Sequence, residues 1–276
     1  MPGTLFVVAT PIGNLADASP RAIDTLRNAD LLACEDTRTT QVLLARHGVG
    51  TRALALHAHN EQAATAKLLA MLQEGKDIAL VSDAGTPAVS DPGARLVEAA
   101  HRAGVEVRAI PGPNAAIAAW SAAGFVCDRF LFFGFLPATG SARRKALAAL
   151  EDEIPVIFYE APHRVAETVA DLLARYGAKR EILFARELTK KFEESARMPL
   201  AAAADWLAAG PHRMQGEFVI VVGPGQANQD ARLAEGERVL SILLETTPAS
   251  EAARLASRIT GVPKNTLYRI AIARGK

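Results

Sequence analysis

The loop Ser82-Asp83-Ala84-Gly85-Thr86-Pro87-Ala88-Val89-Ser90-Asp91-Pro92-Gly93 carries two Ser-Asp pairs, a threonine and two glycines directly after the apolar run Asp77-Ile78-Ala79-Leu80-Val81. Gly, Pro and hydroxyl residues at this density exclude a regular helix or strand, which leaves carboxylates, hydroxyls and backbone amides to face a ligand. A simpler reading has Ser90 or Asp91 capping the helix suggested by residues 94–100, with Pro92 in its first turn. Other clusters with chemical potential also follow apolar runs: Thr10-Pro11-Ile12-Gly13-Asn14, Glu35-Asp36-Thr37-Arg38, His57-Ala58-His59-Asn60-Glu61 and Pro111-Gly112-Pro113-Asn114. Further on, Tyr159-Glu160-Ala161-Pro162-His163-Arg164 and Arg186-Glu187-Leu188-Thr189-Lys190-Lys191 occupy the same kind of position. Loops at the carboxyl ends of sheet strands converge on one crevice, so a single ligand cleft is expected.

Several chemistries find no support. Thr10–Asn14 lacks the glycines of a dinucleotide fingerprint, no G-x-x-x-x-G-K-[ST] loop occurs, and there is no G-x-S-x-G elbow. His57 and His59 have no third ligand at useful spacing, and Cys34 and Cys127 form no zinc or disulfide pattern; no metal site is expected. Arg143-Arg144-Lys145 opens a helical pattern, either as a solvated face or as an anion contact.

The elements that must position these loops alternate between strand and helix. Strands are predicted over 5–9, 31–34, 54–56, 77–81 and 105–110, and helices from Ser19-Pro20, through Val42–Leu44, over 61–74 and 93–103, and after Pro113. Such alternation implies βαβ units and a mostly parallel sheet covered on both faces. A second α/β set follows the small residues Ser121–Gly124, with strands over 130–135, 156–160, 181–186 and 217–222 and helices over 141–151, 164–176 and 200–209. The expected organisation is therefore an N-terminal α/β domain over 1–120, a second over 121–225, and a helical segment over 226–276 that ends in a corner like a helix-turn-helix. Half of the 276 residues are hydrophobic and 22% are charged, enough for proper cores, while a formal net charge of +1 argues against indiscriminate polyanion binding. The N-terminal Leu5-Phe6-Val7-Val8-Ala9 has no basic flank and reads as a strand, not a signal peptide, and no run is long enough to span a bilayer. A cytoplasmic protein with no membrane partner is expected.

In order and spacing, Val8–Leu15, Cys34–Arg38, His57–Glu61, Leu80–Pro87, Asp91–Gly93, Ile110–Pro113, Phe133–Pro137, Phe158–Glu160 with His163-Arg164, and Ala185–Lys190 resemble the tetrapyrrole-methylase superfamily of S-adenosylmethionine-dependent methyltransferases. Within it the chain looks like the family that methylates a cytidine 2′-hydroxyl in bacterial 16S ribosomal RNA. Members acting on small molecules usually begin with a G-x-G-x-G-D-type loop, which Thr10-Pro11-Ile12-Gly13-Asn14 replaces. The resemblance implies two α/β domains with S-adenosylmethionine folded into the cleft between them, plus the helical C-terminal segment, in a homodimer. It implies a cofactor site made by Pro11, Ser82, Asp83, Ala84, Gly85, Thr86, Val89 and Ser90, closed by Tyr159, Leu188, Glu217 and Phe218. The substrate would be 16S rRNA within the 30S subunit, at a decoding-centre cytidine, approached over Arg38, His57, Asn60, Arg143, Arg144, Lys145, Arg164 and Lys190. A ribose hydroxyl is a poor nucleophile that benefits from a base, for which Glu160 and His163 are the candidates; Glu160 could equally pair with Arg164 or Arg186. A small-molecule methylase and a non-catalytic RNA-binding module are the competing readings.

Overall fold

The computed structural model describes residues 1–274, apart from the side chains at 226–232 and 274. The end of the 226–276 segment and the side chains of the polar run 226–230 therefore lie outside the described residues.

The first sheet contains β1 (Thr4–Val8), β2 (Leu31–Cys34), β3 (Ala53–Ala55), β4 (Ile78–Leu80) and β5 (Glu106–Ile110), all parallel, in the order β3-β2-β4-β1-β5. Helices α1 (Pro20–Asn28) and α2 (Thr37–Arg46) cover one face through Ile23, Leu26, Leu43 and Leu44. On the other, α3 (Glu61–Gln73) and α4 (Ala94–Arg102) bury Leu68, Leu72 and Leu96. Ser19 caps α1 as the sequence predicts, its hydroxyl accepting the Ala22 amide at 3.1 Å. The chain steps from β1 outward in both directions, so the loops after β1 and β4 lie side by side at the switch point of the strand order, the usual ligand position in such sheets.

Helix α5 (Ala115–Ala123) packs its alanine face on the second sheet, against Ile157, Leu183, Val219 and Val221. That sheet comprises β6 (Leu131–Phe135), β7 (Val156–Glu160), β8 (Glu181–Arg186), β9 (Glu194–Pro199) and β10 (Phe218–Val222), ordered β6-β7-β10-β8-β9. Helices α6 (Gly140–Ala148), α7 (Val165–Tyr176) and α8 (Leu200–Ala209) cover its other face around Phe158, Phe184 and Phe218. The sheet is mixed rather than parallel: β10 runs antiparallel to both β7 and β8, and β8 antiparallel to β9. Only a short loop joins β8 to β9, too little chain for the crossover a parallel pair needs. As a result the ends of β7 and β8 and the start of β10 meet at one edge, where Phe218 pairs with both Glu160 and Arg186.

Three further helices, α9 (Gln226–Leu244), α10 (Ala249–Thr260) and α11 (Lys264–Arg274), share a separate small core around Leu240, Ala253, Ala256 and Leu267. No helix among the described residues is long and apolar enough to cross a membrane.

Candidate active site between the two sheets

The loops beyond β1 and β4 are stitched together before they meet any ligand. Thr10 and Gly85 exchange backbone hydrogen bonds of 2.9 and 3.1 Å, and the Thr10 hydroxyl donates to the Ser82 carbonyl at 3.1 Å. Thr86 then ties this loop to the next one, donating to the Pro113 carbonyl at 3.1 Å. The 82–93 segment is backbone-strained: Ala88 and Ser90 have φ of 64° and 66°, in the left-handed region that costs a non-glycine residue about 1–3 kcal/mol. The expected capping role of Ser90 and Asp91 is not found. Gly93, at φ 120°, is the N-cap of α4, and its amide donates to Glu61 from the neighbouring helix at 3.0 Å. Asp91 is thereby left to line the cleft.

The second lobe approaches at two glycines. A Cβ on Gly134 would lie 2.7 Å from the Ser90 Oγ, so the irregularity in β6 near Gly134 lets Ser90 come up against the second sheet. A Cβ on Gly13 would lie 2.4 Å from Lys190 Cγ and 3.1 Å from the Leu188 carbonyl. Between these approaches is a cavity of about 490 Å³, within the range of small-ligand sites. The first lobe contributes Ile12, Ala84, Gly85, Thr86, Val89, Ser90 and Asp91, and the second contributes Phe135, Tyr159, His163, Leu188, Glu217 and Val219. Tyr159 accepts the Ala116 amide at 3.2 Å, fixing the start of α5 to the cleft wall, and burial pushes its phenol up.

Asp91, which lines this cavity, stands among other carboxylates. Burial raises the Asp91 carboxyl above its ordinary range, partly offset by the Ser82 hydroxyl and reinforced by the Asp83 charge. Burial likewise raises Glu35, with Asp91 and Asp83 adding to it and His57 opposing. Asp83 itself accepts the Asp36 amide at 2.9 Å. The half-buried Asp36 is held down to about 2 by its hydrogen bonds from Arg38, whose amide it caps.

The expected cofactor residues divide between two adjoining hollows. Ala84, Gly85, Thr86, Val89, Ser90, Tyr159, Leu188, Glu217 and Phe218 line the main cavity; Pro11, Ser82 and Asp83 line a neighbouring one, joined to it through Ile12, Ala84 and Glu217. Phe218 needs correction: alternation along β10 turns its ring into the α7–α8 core, 6.1 Å from Phe184, so only its backbone faces the cleft. Val219 presents the side chain there. Ile12, Asp91, Asn114 and Phe135 also line the cavity; the sequence marks the segments that hold them but not these residues as cofactor contacts. Asp91 also fits a capping pattern, and Phe135 sits in a strand.

Glu160 is not placed as a free base. Its side chain is fully buried and accepts from the Thr168 hydroxyl at 2.6 Å and the Ala161 amide at 2.9 Å, with Arg164 Nε at 3.3 Å. Arg164 in turn donates to the Leu136 and Pro137 carbonyls, so it holds the loop together and does not reach for a polyanion. His163, between them, is exposed and lines the cleft.

Arg143 is the clearest correction on the basic face. It is 3% exposed, with Nε 2.6 Å from Asp171 and Nη2 3.2 Å from Glu167. A guanidinium at this position is the inward residue of α6, which the i,i+4 relation to Leu147 makes inevitable once Leu147 is core. Arg144 and Lys145 do stay exposed. Asn60 spends its amide on the local turn, bonding the His57 amide and the Ala55 carbonyl. Lys190 is paired with Glu187 and Glu217 at 2.8 and 3.1 Å. Arg38 is exposed but paired with Asp36, and His57 is half-buried with Nδ1 lacking a partner.

Comparison with known proteins agrees with this architecture. A sequence model of the Tetrapyrrole (Corrin/Porphyrin) Methylases matches residues 4–204, and one described as the RsmI C-terminal HTH domain matches residues 230–275. The chain is 48% identical to the "Ribosomal RNA small subunit methyltransferase I" of Pseudomonas aeruginosa, over 99% of this chain and 98% of that one. It is 49% identical to the protein of the same name from Xylella fastidiosa strain Temecula1, over 97% and 98%. Among solved structures, uroporphyrin-III C-methyl transferase from Thermus thermophilus complexed with S-adenyl homocysteine superposes with a TM-score of 0.55 at 15% identity, covering 80% of this chain and 97% of that one.

Proposed function

The chain belongs to the tetrapyrrole methylase family and is an S-adenosylmethionine-dependent methyltransferase, and from that premise we propose that it methylates the 2′-hydroxyl of a decoding-centre cytidine of 16S rRNA within the 30S subunit. The observation that carries the proposal is the cavity itself, an apolar-walled cleft lined by the Asp91 carboxylate, set where the strained 82–93 loop meets the second sheet. Full-length likeness to proteins named for ribosomal RNA methylation supports the choice of substrate.

The donor set fits the cofactor. Ile12, Phe135, Tyr159, Leu188 and Val219 give apolar walls suited to an adenosine and exclude water, while Thr86, Ser90 and Asn114 supply polar groups that fix orientation. Asp91 places a carboxylate where a cation would be favoured. When bound, S-adenosylmethionine supplies a methyl group on a positively charged sulfur, open to in-line displacement.

The protein's part in the reaction is placement and proton handling. Held in line, the ribose hydroxyl gains from proximity and orientation alone. His163, exposed at the cleft wall, accepts its proton. Glu160, through Ala161 and Arg164, fixes the loop that presents His163, and so acts as a positioning residue. Exposed Arg144 and Lys145 meet the RNA backbone; Arg143 does not. The homodimer implied by the resemblance would cover apolar side chains exposed on α5 and edge strand β6, among them Ile117 and Leu131. Such an enzyme works in the cytoplasm, alongside its ribosomal substrate.

The test is transfer of labelled methyl to purified small subunits lacking the modification, with a reduced porphyrin-type ring as the alternative acceptor. Label on RNA and none on the ring is expected. Label on the ring alone would make this a small-molecule methylase, and failure to bind cofactor would leave only an RNA-binding module.

A further inference from the structure

A series of hollows runs from the cofactor cleft along the seam between the lobes. The second shares Ile12, Ala84 and Glu217 with the cleft, and a third, of about 880 Å³, shares Gly13, Leu15 and Lys190 with the second. The third has walls from both lobes: Gly13 to Ala16, Arg46 and His47 at the end of α2, and Thr189 to Lys191 beyond β8. No carboxylate lines it.

Two of its wall residues carry buried polar atoms without a hydrogen-bond partner, His47 Nε2 and Thr189 Oγ1. Buried polar atoms are almost always satisfied, so two orphans in the walls of one hollow point to a missing polar ligand. Thr189 is also held at φ 65°, a conformation that surroundings must impose. Its amide is fixed by Glu193 at 2.8 Å, and Glu187 and Glu217 are taken up by Lys190. Arg46 and Lys191 are exposed, and among the described residues neither has a carboxylate within ion-pair distance. Arg46 does complement the C-terminal end of α2, but that role leaves the orphaned His47 and Thr189 atoms unexplained.

We propose that this hollow is a phosphate-binding groove for the RNA strand that carries the target ribose. Arg46 and Lys191 pair with phosphodiester oxygens, and His47 Nε2 and the Thr189 hydroxyl hydrogen-bond to the same phosphate or its neighbour. The proposal rests on the RNA reading of the cleft, with which the groove is continuous. It reaches residues on both lobes, so strand binding would also hold the lobes in register around the cofactor.

The test compares the wild-type protein with Arg46→Glu/Lys191→Glu and with Thr189→Val, which keeps the side-chain shape. Binding of small subunits is measured across a salt series, S-adenosylmethionine binding by calorimetry, and folding by melting temperature. The double variant is expected to keep its cofactor affinity and to melt only a few degrees lower, the cost of an anion at the end of α2, while subunit affinity falls at least tenfold. Its salt dependence should flatten by about 1.4 in log–log slope, at about 0.7 for each lost single-strand phosphate contact. Thr189→Val should weaken subunit binding a few-fold. Unchanged affinity and slope in a variant that binds cofactor normally would overturn the groove alone. Wild-type protein that binds cofactor but neither binds nor methylates small subunits would overturn the RNA reading, and the groove with it.

Discussion

Replacing Glu160 separates a buried structural carboxylate from a catalytic base. The side chain ties the end of β7 to the start of α7: Thr168 and the Ala161 amide donate to it, and Arg164 lies 3.3 Å away. Glu160→Ala strands the Arg164 Nε and the Thr168 hydroxyl in a dry setting, and removing one partner of a buried pair costs about 3–5 kcal/mol. Glu160→Gln keeps the shape and loses mainly charge-assisted hydrogen bonding, about 1–3 kcal/mol. At about 2–4 °C per kcal/mol for domains of 150–250 residues, Glu160→Ala should melt roughly 6–20 °C lower and Glu160→Gln roughly 2–12 °C lower. The assay pairs differential scanning calorimetry with single-turnover methyl transfer at a temperature where both variants are folded. Losing a general base costs about 10²- to 10⁴-fold in rate, whereas a positioning role predicts a loss below that range for the isosteric Gln. A Glu160→Gln protein with wild-type melting and a rate loss above that range's lower bound would refute the structural assignment.

Other consequences can be checked in parallel. Arg143→Ala leaves the buried Asp171 only its longer contact with exposed Arg144, at 3.4 Å, so it should lower the melting temperature by the equivalent of up to about 3–5 kcal/mol, while exposed Arg144→Ala should change it by less than about 1 kcal/mol; equal effects would contradict the burial of Arg143. Asp91→Asn should raise the melting temperature at neutral pH while weakening cofactor binding. The sign follows from linkage: a carboxyl raised in the folded state destabilises above its folded pKa, and that penalty vanishes as pH falls below the unfolded value of 3.8. The stability gain should therefore disappear in acid, as a pH series of melts would show. Gly13→Ala places a methyl against Lys190 and the Leu188 carbonyl; overpacking of this kind costs about 1–3 kcal/mol and should raise the KM for S-adenosylmethionine by parting the lobes.

Much of the fold was legible because its strands are continuous apolar runs punctuated by Gly and Pro. Leu31–Cys34, Val156–Glu160 and Glu181–Arg186 fall where the pattern puts them. Strand β9 escaped because it is an edge strand: exposed Ser195, Arg197 and Pro199 alternate with half-buried Glu194, Ala196 and Met198, and charge and proline on such an edge block unwanted pairing while erasing the apolar signal. The antiparallel course of β10 was equally silent, since strand direction is set by connection length and not by composition. At the site, the loops were visible as dense Gly, Pro and hydroxyl segments. Which side chains faced the cleft was not. Phe218 and Val219 differ only in strand phase, and Arg143 and Arg144 only in helix phase, so each assignment turned on a one-residue step that the core decides.

Alkaline hydrolysis of the labelled RNA distinguishes methyl transfer to a ribose oxygen from transfer to a base. A methylated 2′-oxygen cannot attack the adjoining phosphodiester, so that one linkage survives alkali. When small subunits are treated with the protein and labelled S-adenosylmethionine, the expected product is a labelled, alkali-resistant dinucleotide beginning with a single decoding-centre cytidine. Label recovered only in alkali-sensitive mononucleotides would place the methyl group on a base and contradict the account.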